Sequence, residues 1–183
     1  MVKPILITTP KVFADSRGRF EELYNDQIAL IAGQTVAQVN FALNTRCGTL
    51  RGLHYQHPRP MAKLVICVKG VICDVAVDVR RGSPTFKQNW TYTLHSGDKQ
   101  RFWIPRGFAH GYMALTDGAE LVYLTDTLFD PDGDWNIRWD DPDLHIPWPM
   151  QPGETILSVR DRGAPLLRDI PEERLPLYEN CLQ

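Results

Sequence analysis

Between Cys47 and Lys69 the chain reads CGTLRGLHYQHPRPMAKLVICVK, and Arg51, His54 and Lys63 are the residues in it with chemistry to offer. A guanidinium forks onto phosphate, an imidazole moves protons near neutral pH, and an ammonium steadies a developing negative charge. Two strand-like runs joined by a Pro-rich turn carry the three. Further on, Trp103-Ile104-Pro105-Arg106-Gly107-Phe108-Ala109-His110 delivers His110 from the end of another strand. Alone, His54 would be a half-buried structural histidine and Lys63 a surface lysine. With Arg51 and His110 they make a poor set for a structural core, since unpaired cations are costly to bury. Neighbouring cations favour the neutral imidazole, the form that serves as a base. The chemistry expected is proton transfer on a small anionic ligand.

Short strands must position these groups. Residues 5–8 read as a first strand, 13–18 as a turn and 19–24 as a second strand, while Asp26 can cap a short helix over 27–32 that Gly33 stops. Residues 36–43 alternate, with Gln38, Asn40 and Ala42 on one face and Val39, Phe41 and Leu43 on the other; the two amides suggest a wet cavity wall. Over 50–55 strict alternation would put Arg51 and His54 on opposite faces. Gly52 offers the remedy, because a glycine inside a strand often marks a bulge that re-aims side chains. Lys63 follows a turn at the head of an apolar strand, 63–68, and is expected to point inward. Further strands are expected at 71–79, with Asp74 and Asp78 on one face, and at 89–94, 101–104, 110–115 and 121–126. So many short strands with turn signals between them predict an all-β sandwich or barrel of the jelly-roll kind, and a jelly-roll barrel is expected. One domain is expected over 1–183, with its core at about 13–128 and a strand extension at the N-terminus. The loop-rich tail, 129–183, has little helix, since Pro176 weakens the one candidate at 171–178, and is expected to wrap the barrel and close one end.

At 183 residues and 43% hydrophobic the chain can bury one sizeable core. A net charge of -2 gives no global pull on nucleic acid or an anionic membrane, so an anion must be held by a local cluster. Cys47, Cys67, Cys73 and Cys181 have no metal-type spacing and are expected reduced, in the cytoplasm. No stretch reads as a signal peptide or bilayer span, and no Gly-rich dinucleotide fingerprint follows a strand, so a soluble protein without a cofactor is expected. Pro105 to His110 resembles the second cupin motif, which places its histidine inside a small barrel. Metal-binding cupins also need a His-x-His pair and a downstream glutamate; here His54 and His57 are three apart and cannot share a strand face, so no metal is expected. Arg17, like Arg51, precedes a glycine and suits a diphosphate. Tyr123 would by default be a core tyrosine and Asp161 an exposed loop acid.

From Phe13 to about Leu167 the chain resembles the dTDP-4-dehydrorhamnose 3,5-epimerases, a family of metal-free cupins. The match is carried, in order, by Phe13-Ala14-Asp15-Ser16-Arg17-Gly18, Gln38-Val39-Asn40, Leu50-Arg51-Gly52-Leu53-His54-Tyr55-Gln56, Ala62-Lys63-Leu64-Val65, Asp74-Val75-Ala76-Val77-Asp78, Ser83-Pro84-Thr85-Phe86, Trp103 to Gly111 and Ile137-Arg138-Trp139-Asp140-Asp141-Pro142. The resemblance implies a cupin fold and a dTDP-sugar substrate epimerised at C3 and C5 without a cofactor. His54 falls on the family's base, Asp161 on the carboxylate that orients it, Lys63 on the lysine beside the enolate and Tyr123 on the acid. Arg51, Gln38 and Asn40 fall on positions that hold diphosphate and sugar, and His110 and Phe129 are grouped with them. Arg17, Phe20 and Glu22 match a segment that completes the neighbouring subunit's site, which implies a homodimer. Departures from the family pattern stand at Arg19, Cys67, Leu124 and Leu128-Phe129, positions expected near the ligand. The same catalytic set serves relatives acting at C3 alone, so a C3-only epimerase or a different 4-keto sugar nucleotide stays open. A metal-dependent cupin and a non-catalytic sugar-binding cupin are the readings from other classes.

Overall fold

The computed structural model describes residues 3–8, 12–25, 35–98, 100–150 and 154–182. Strands are numbered in chain order. Two five-stranded antiparallel sheets face each other. The first has the order β1 (Ile5–Thr8), β9 (Gln100–Ile104), β6 (Lys63–Lys69), β11 (Ala119–Thr125) and β4 (Gln38–Asn44). The second has the order β12 (Asp134–Asn136), β5 (Leu50–Gln56), β10 (Phe108–Ala114), β7 (Val71–Asp78) and β8 (Asn89–His95). β2 (Val12–Asp15) and β3 (Gly18–Glu21) form a separate hairpin. The all-β jelly roll is as expected, but the barrel is not closed. Among the described residues no ladder joins the two sheets, and a cleft opens between β4 and the edge formed by the short β12 and β5.

Period-two alternation sorts each strand between two environments. On β7, Ile72, Asp74 and Ala76 point between the sheets, where Phe102, Phe108 and Leu121 fill the core. Cys73, Val75 and Val77 point outward into a second core completed by Ile137, Trp139, Leu144 and Leu167 from the tail. The tail therefore covers the outer face of the second sheet, and its residues Ser158, Arg160 and Asp161 reach the cleft. Each of its buried aliphatic side chains contributes about 1.5–3 kcal/mol. β1 and β12 both pair with main strands although they lie outside residues 13–128.

Three local expectations need correction. The turn placed at 13–18 is the β2–β3 hairpin with Ser16 and Arg17 at its tip, and the second strand ends at Glu21 instead of running to Tyr24. The helix considered at 171–178 is broken: 3-10 turns cover Glu172–Arg174 and Tyr178–Cys181, and the chain between is extended. There Arg81 N–H donates to the Pro176 carbonyl at 2.8 Å, and Arg81 bridges Leu177, so pairing replaces the helix that Pro176 disfavours. A helical turn not expected from the sequence, α1 (Val159–Arg162), is capped by Ser158, whose hydroxyl accepts from Asp161 N–H. The helix proposed for 27–32, with Asp26 and Gly33 at its ends, lies outside the described residues.

The expected irregularity at Gly52 is present. His54 pairs with His110 and Arg51 with Tyr112, so three steps along β5 match two along β10 and β5 holds one extra residue. Gly52 has φ +115°, and a Cβ there would lie 2.6 Å from both Gly111 Cα and the His110 carbonyl oxygen. No side chain can yield, because both neighbours are backbone. Gly52→Ala is expected to destabilise the fold by at least about 2 kcal/mol, seen as a lower denaturant midpoint at unchanged slope.

Candidate active site

The bulge turns Arg51 and His54 into one cleft, which has two chambers. The larger, of about 660 Å³, is lined by Arg51, His54, Lys63, His110, Tyr123 and Asp161 among others. The smaller, of about 260 Å³, adds Gln38, Asn40, Phe129 and Asp134. His54, Lys63 and Tyr123 border both chambers, so they stand where the two meet. His54 comes from β5 in the second sheet, whereas Lys63 and Tyr123 come from β6 and β11 in the first. Tyr123 pairs with Val65, and Lys63 with Thr125, which sets Lys63 and Tyr123 diagonally on the same face. A ligand in the cleft thus meets the imidazole on one side and the phenol and ammonium on the other.

His54 Nε2 lies 2.6 Å from Asp161 Oδ1. A neutral His54 that donates Nε2–H to this carboxylate keeps its lone pair on Nδ1, as a base requires. Asp161 is 3% exposed, far from the loop acid it resembles in sequence. Burial opposes its charge, but hydrogen bonds from His54, the Ser158 hydroxyl and Gly52 N–H outweigh that and hold its carboxyl below the usual range. Beside this pair in register, His110 Nε2 meets Asp74 Oδ1 at 2.6 Å, both groups buried. Burial pushes the His110 imidazole down, against the pull of Asp74, and the nearby Lys63 and His54 push the same way.

Lys63 points inward as expected. Burial lowers its ammonium from 10.5 to about 8, while Asp134 and Asp74 act in the opposite sense. It therefore still carries its proton at neutral pH. The Tyr123 phenol is raised, first by burial and then by Asp134, with Arg51 opposing, so it stays protonated and able to donate. Arg51 Nε donates to Asn44 Oδ1 at 3.1 Å and Nη2 to the Leu43 carbonyl at 3.4 Å, which aims the guanidinium along the cleft rim. Gln38 and Asn40 reach the smaller chamber, but Gln38 is already engaged: its Nε2 donates to Asn40 Oδ1 at 2.7 Å, and its Oε1 accepts from Phe129 N–H at 2.9 Å.

Nine of the twelve residues singled out from the sequence meet in this cleft: His54, Lys63, Tyr123, Asp161, Gln38, Asn40, Arg51, His110 and Phe129. Arg17, Phe20 and Glu22 line neither chamber. Arg17 pairs with Asp15 at 2.6 Å at the exposed hairpin tip, Phe20 is 70% exposed, and Glu22 accepts from Asn25. Of the departures from the family pattern, only Phe129 faces the cleft. Leu124 packs on the outer face of the first sheet, Cys67 lies in the core, and Arg19 is part of β3 in the hairpin. Sequence reasoning passed over Asn44, which orients Arg51, and Asp134, which faces Lys63; Asp74 was placed on a strand face without a role. The alternation of β7 was the one available signal, since it turns Asp74 into the interior. Among the described residues no group of three His, Cys, Asp or Glu side chains is placed to hold a metal ion.

This jelly-roll cleft brings together a carboxylate-bound imidazole, a phenol and an ammonium, groups that can take up and release protons. A family model described as dTDP-4-dehydrorhamnose 3,5-epimerase matches residues 1–169. The dTDP-4-dehydrorhamnose 3,5-epimerase of Methanothermobacter thermautotrophicus is 42% identical over 170 residues, covering 91% of this chain and 91% of that protein. Among solved structures, the dTDP-6-deoxy-D-glucose-3,5-epimerase of Legionella pneumophila, in complex with dTDP-4-keto-L-rhamnose, superposes with a TM-score of 0.88 at 37% identity and covers 96% of this chain and 98% of that one. A 3'-monoepimerase from Streptomyces bikiniensis, in complex with dTDP-quinovose, gives 0.85 at 35% identity over 97% and 90% of the two chains. The chain belongs to the dTDP-4-dehydrorhamnose 3,5-epimerase family and is an isomerase.

The lowered Lys63 ammonium has a stability consequence. Between about pH 8 and 10.5 the unfolded chain binds the proton and the folded chain does not, so folding strengthens as pH rises through that window. Below it the cost of the buried charge is constant. Lys63→Met is therefore expected to raise stability at pH 7 by about 1–2 kcal/mol, allowing for the solvent that reaches the cleft, and the gain should shrink above pH 8 in thermal melts. The same variant should lose turnover.

Proposed function

We propose that the protein epimerises a dTDP-4-keto-6-deoxyhexose at C3 and C5, converting dTDP-4-dehydro-6-deoxy-D-glucose to dTDP-4-dehydro-L-rhamnose. The observation that carries this is the placement of His54 on one sheet and Tyr123 with Lys63 on the other, all bordering the junction of the two chambers. Inversion beside a ketone requires a base on one face of the ring and an acid on the other.

His54, held by Asp161, removes the proton from the carbon next to the C4 ketone, and the electron pair moves onto the ketone oxygen as an enolate. Lys63 stabilises that oxygen, a contribution of roughly 3 kcal/mol for one well-placed donor. Tyr123 then delivers a proton to the opposite face, and the ketone reforms with the carbon inverted. Asp161 keeps the ring turned and stabilises the imidazolium that forms. Arg51 at the rim suits the diphosphate, and the amides of Gln38 and Asn40 suit the sugar hydroxyls. Turnover should fall on the alkaline side as Lys63 loses its proton above about pH 8.

A second reading, epimerisation at C3 alone, is favoured by the likeness to the 3'-monoepimerase of Streptomyces bikiniensis. The exposed hairpin bearing Arg17 and Phe20 supports a homodimer in which it completes the partner's cleft, and sedimentation at twice the 20.9 kDa chain mass would check this.

The test is proton NMR of dTDP-4-keto-6-deoxy-D-glucose incubated with the purified protein in D₂O. Deuterium at both C3 and C5 is the expected result, and deuterium at C3 alone selects the second reading. His54→Asn should lower the exchange rate by about 10²–10⁴. Wild-type protein that exchanges neither position would contradict the proposed substrate.

A further inference from the structure

The helical turn α1 carries Asp161 to His54, yet almost nothing apolar holds it in place. Asp161 is its only buried residue, and Val159 is 89% exposed. A single isolated turn has little stability of its own. Backbone bonds anchor the chain upstream, where Ile156 exchanges with Gly48 and Leu50, and downstream, where Arg138 N–H donates to the Pro165 carbonyl at 2.8 Å. Between these anchors the turn is gripped from β12. Arg160 Nη1 pairs with the Asp134 carboxylate, and Nη2 donates to the Asp134 carbonyl at 3.0 Å. From the same strand, Asn136 Nδ2 donates to the Arg160 carbonyl at 3.1 Å. β12 in turn pairs with β5, with Asn136 opposite His54 and Asp134 opposite Gln56.

We propose that Asp134 and Arg160 are positioning residues, a polar splint that fixes α1, and so Asp161, at the correct distance and angle from His54. The assignment rests on the reading of His54 as the base. The Arg160 side chain is 48% exposed, and a pair of that kind contributes at most about 1 kcal/mol to stability. Its effect lies in geometry: it links the backbone beside Asp161 to the strand beside His54, so loosening it lets the carboxylate swing without unfolding the domain. Two other roles compete with this one. Arg160 also lines the larger chamber, where it could bind phosphate, and Asp134 faces Lys63 and Tyr123, on which it could act directly.

The experiment uses the full chain with Arg160→Met, Asp134→Asn, the double variant and Arg160→Lys. Deuterium uptake into dTDP-4-keto-6-deoxy-D-glucose gives kcat and KM, and titration with dTDP gives the ligand's affinity. In the ligand-free protein, ¹⁵N-edited NMR follows the His54 ring N–H, assigned by its absence in His54→Asn. The splint predicts that each single variant lowers kcat by about 10- to 100-fold. The double variant should be no worse than the poorer single by more than about threefold, because the pair acts as one unit. dTDP affinity should stay within about threefold, Arg160→Lys should recover most of kcat, and the His54 N–H resonance should shift or broaden in the singles. An unchanged resonance with unchanged kcat would overturn the proposal. So would weaker dTDP binding at unchanged kcat, which would make Arg160 a phosphate ligand, or losses that multiply, which would separate the two residues. Should wild-type protein fail to turn over this substrate, the proposed function fails and the ligand-free resonance alone decides the splint. If Asp134→Asn does not fold, the exposed Arg160→Met decides it.

Discussion

The contact between Gly52 and the backbone of His110 and Gly111 is the constraint from which the cleft follows. β5 and β10 approach so closely there that a Cβ on Gly52 would lie 2.6 Å from Gly111 Cα, and one on Gly111 would lie 2.9 Å from the Arg51 carbonyl oxygen. Only a pair of glycines fits. The approach accommodates one extra residue in β5, and that residue breaks the alternation that would otherwise send Arg51 and His54 to opposite faces. His54 then lies opposite His110, and Gly52 N–H donates to Asp161, so the bulge also receives the carboxylate that holds the imidazole.

Charge in the cleft is balanced group by group. The chain as a whole carries -2, yet Arg51 and Lys63 both line the larger chamber of the cleft. Each imidazole has its own carboxylate, Asp161 for His54 and Asp74 for His110. Lys63 has no such partner at hydrogen-bond distance among the described contacts, only the more distant pull of Asp134 and Asp74, and burial lowers its proton affinity. A cation held at such a cost is suited to a negative charge that develops during reaction, not to one already present.

Most strands were legible because alternation and turn residues agree along β4, β6, β7 and β11, where local propensity and tertiary burial point the same way. The inward turn of Lys63 and the bulge at Gly52 were legible for the same reason, each being a local signal. Asp161 was not, since it is separated from His54 by 107 positions and its meaning depends on a contact that no local pattern encodes. Asn44 and Asp134 were hidden likewise, as ordinary polar residues at strand ends whose roles come from the opposite wall. The jelly roll was legible from strand count and turns, but strand count alone does not say whether the edges of the two sheets meet. Arg17, Phe20 and Glu22 were matched by pattern to a site that a single chain does not build around them.

The central claim is that His54 and Tyr123 work on opposite faces of the same carbon, and Tyr123→Phe tests it most directly. With the base intact and the acid removed, substrate in D₂O should take up deuterium with its configuration retained, while inverted product falls by about 10²–10⁴. Inverted product formed at the wild-type rate, or loss of exchange together with loss of inversion, would contradict the account.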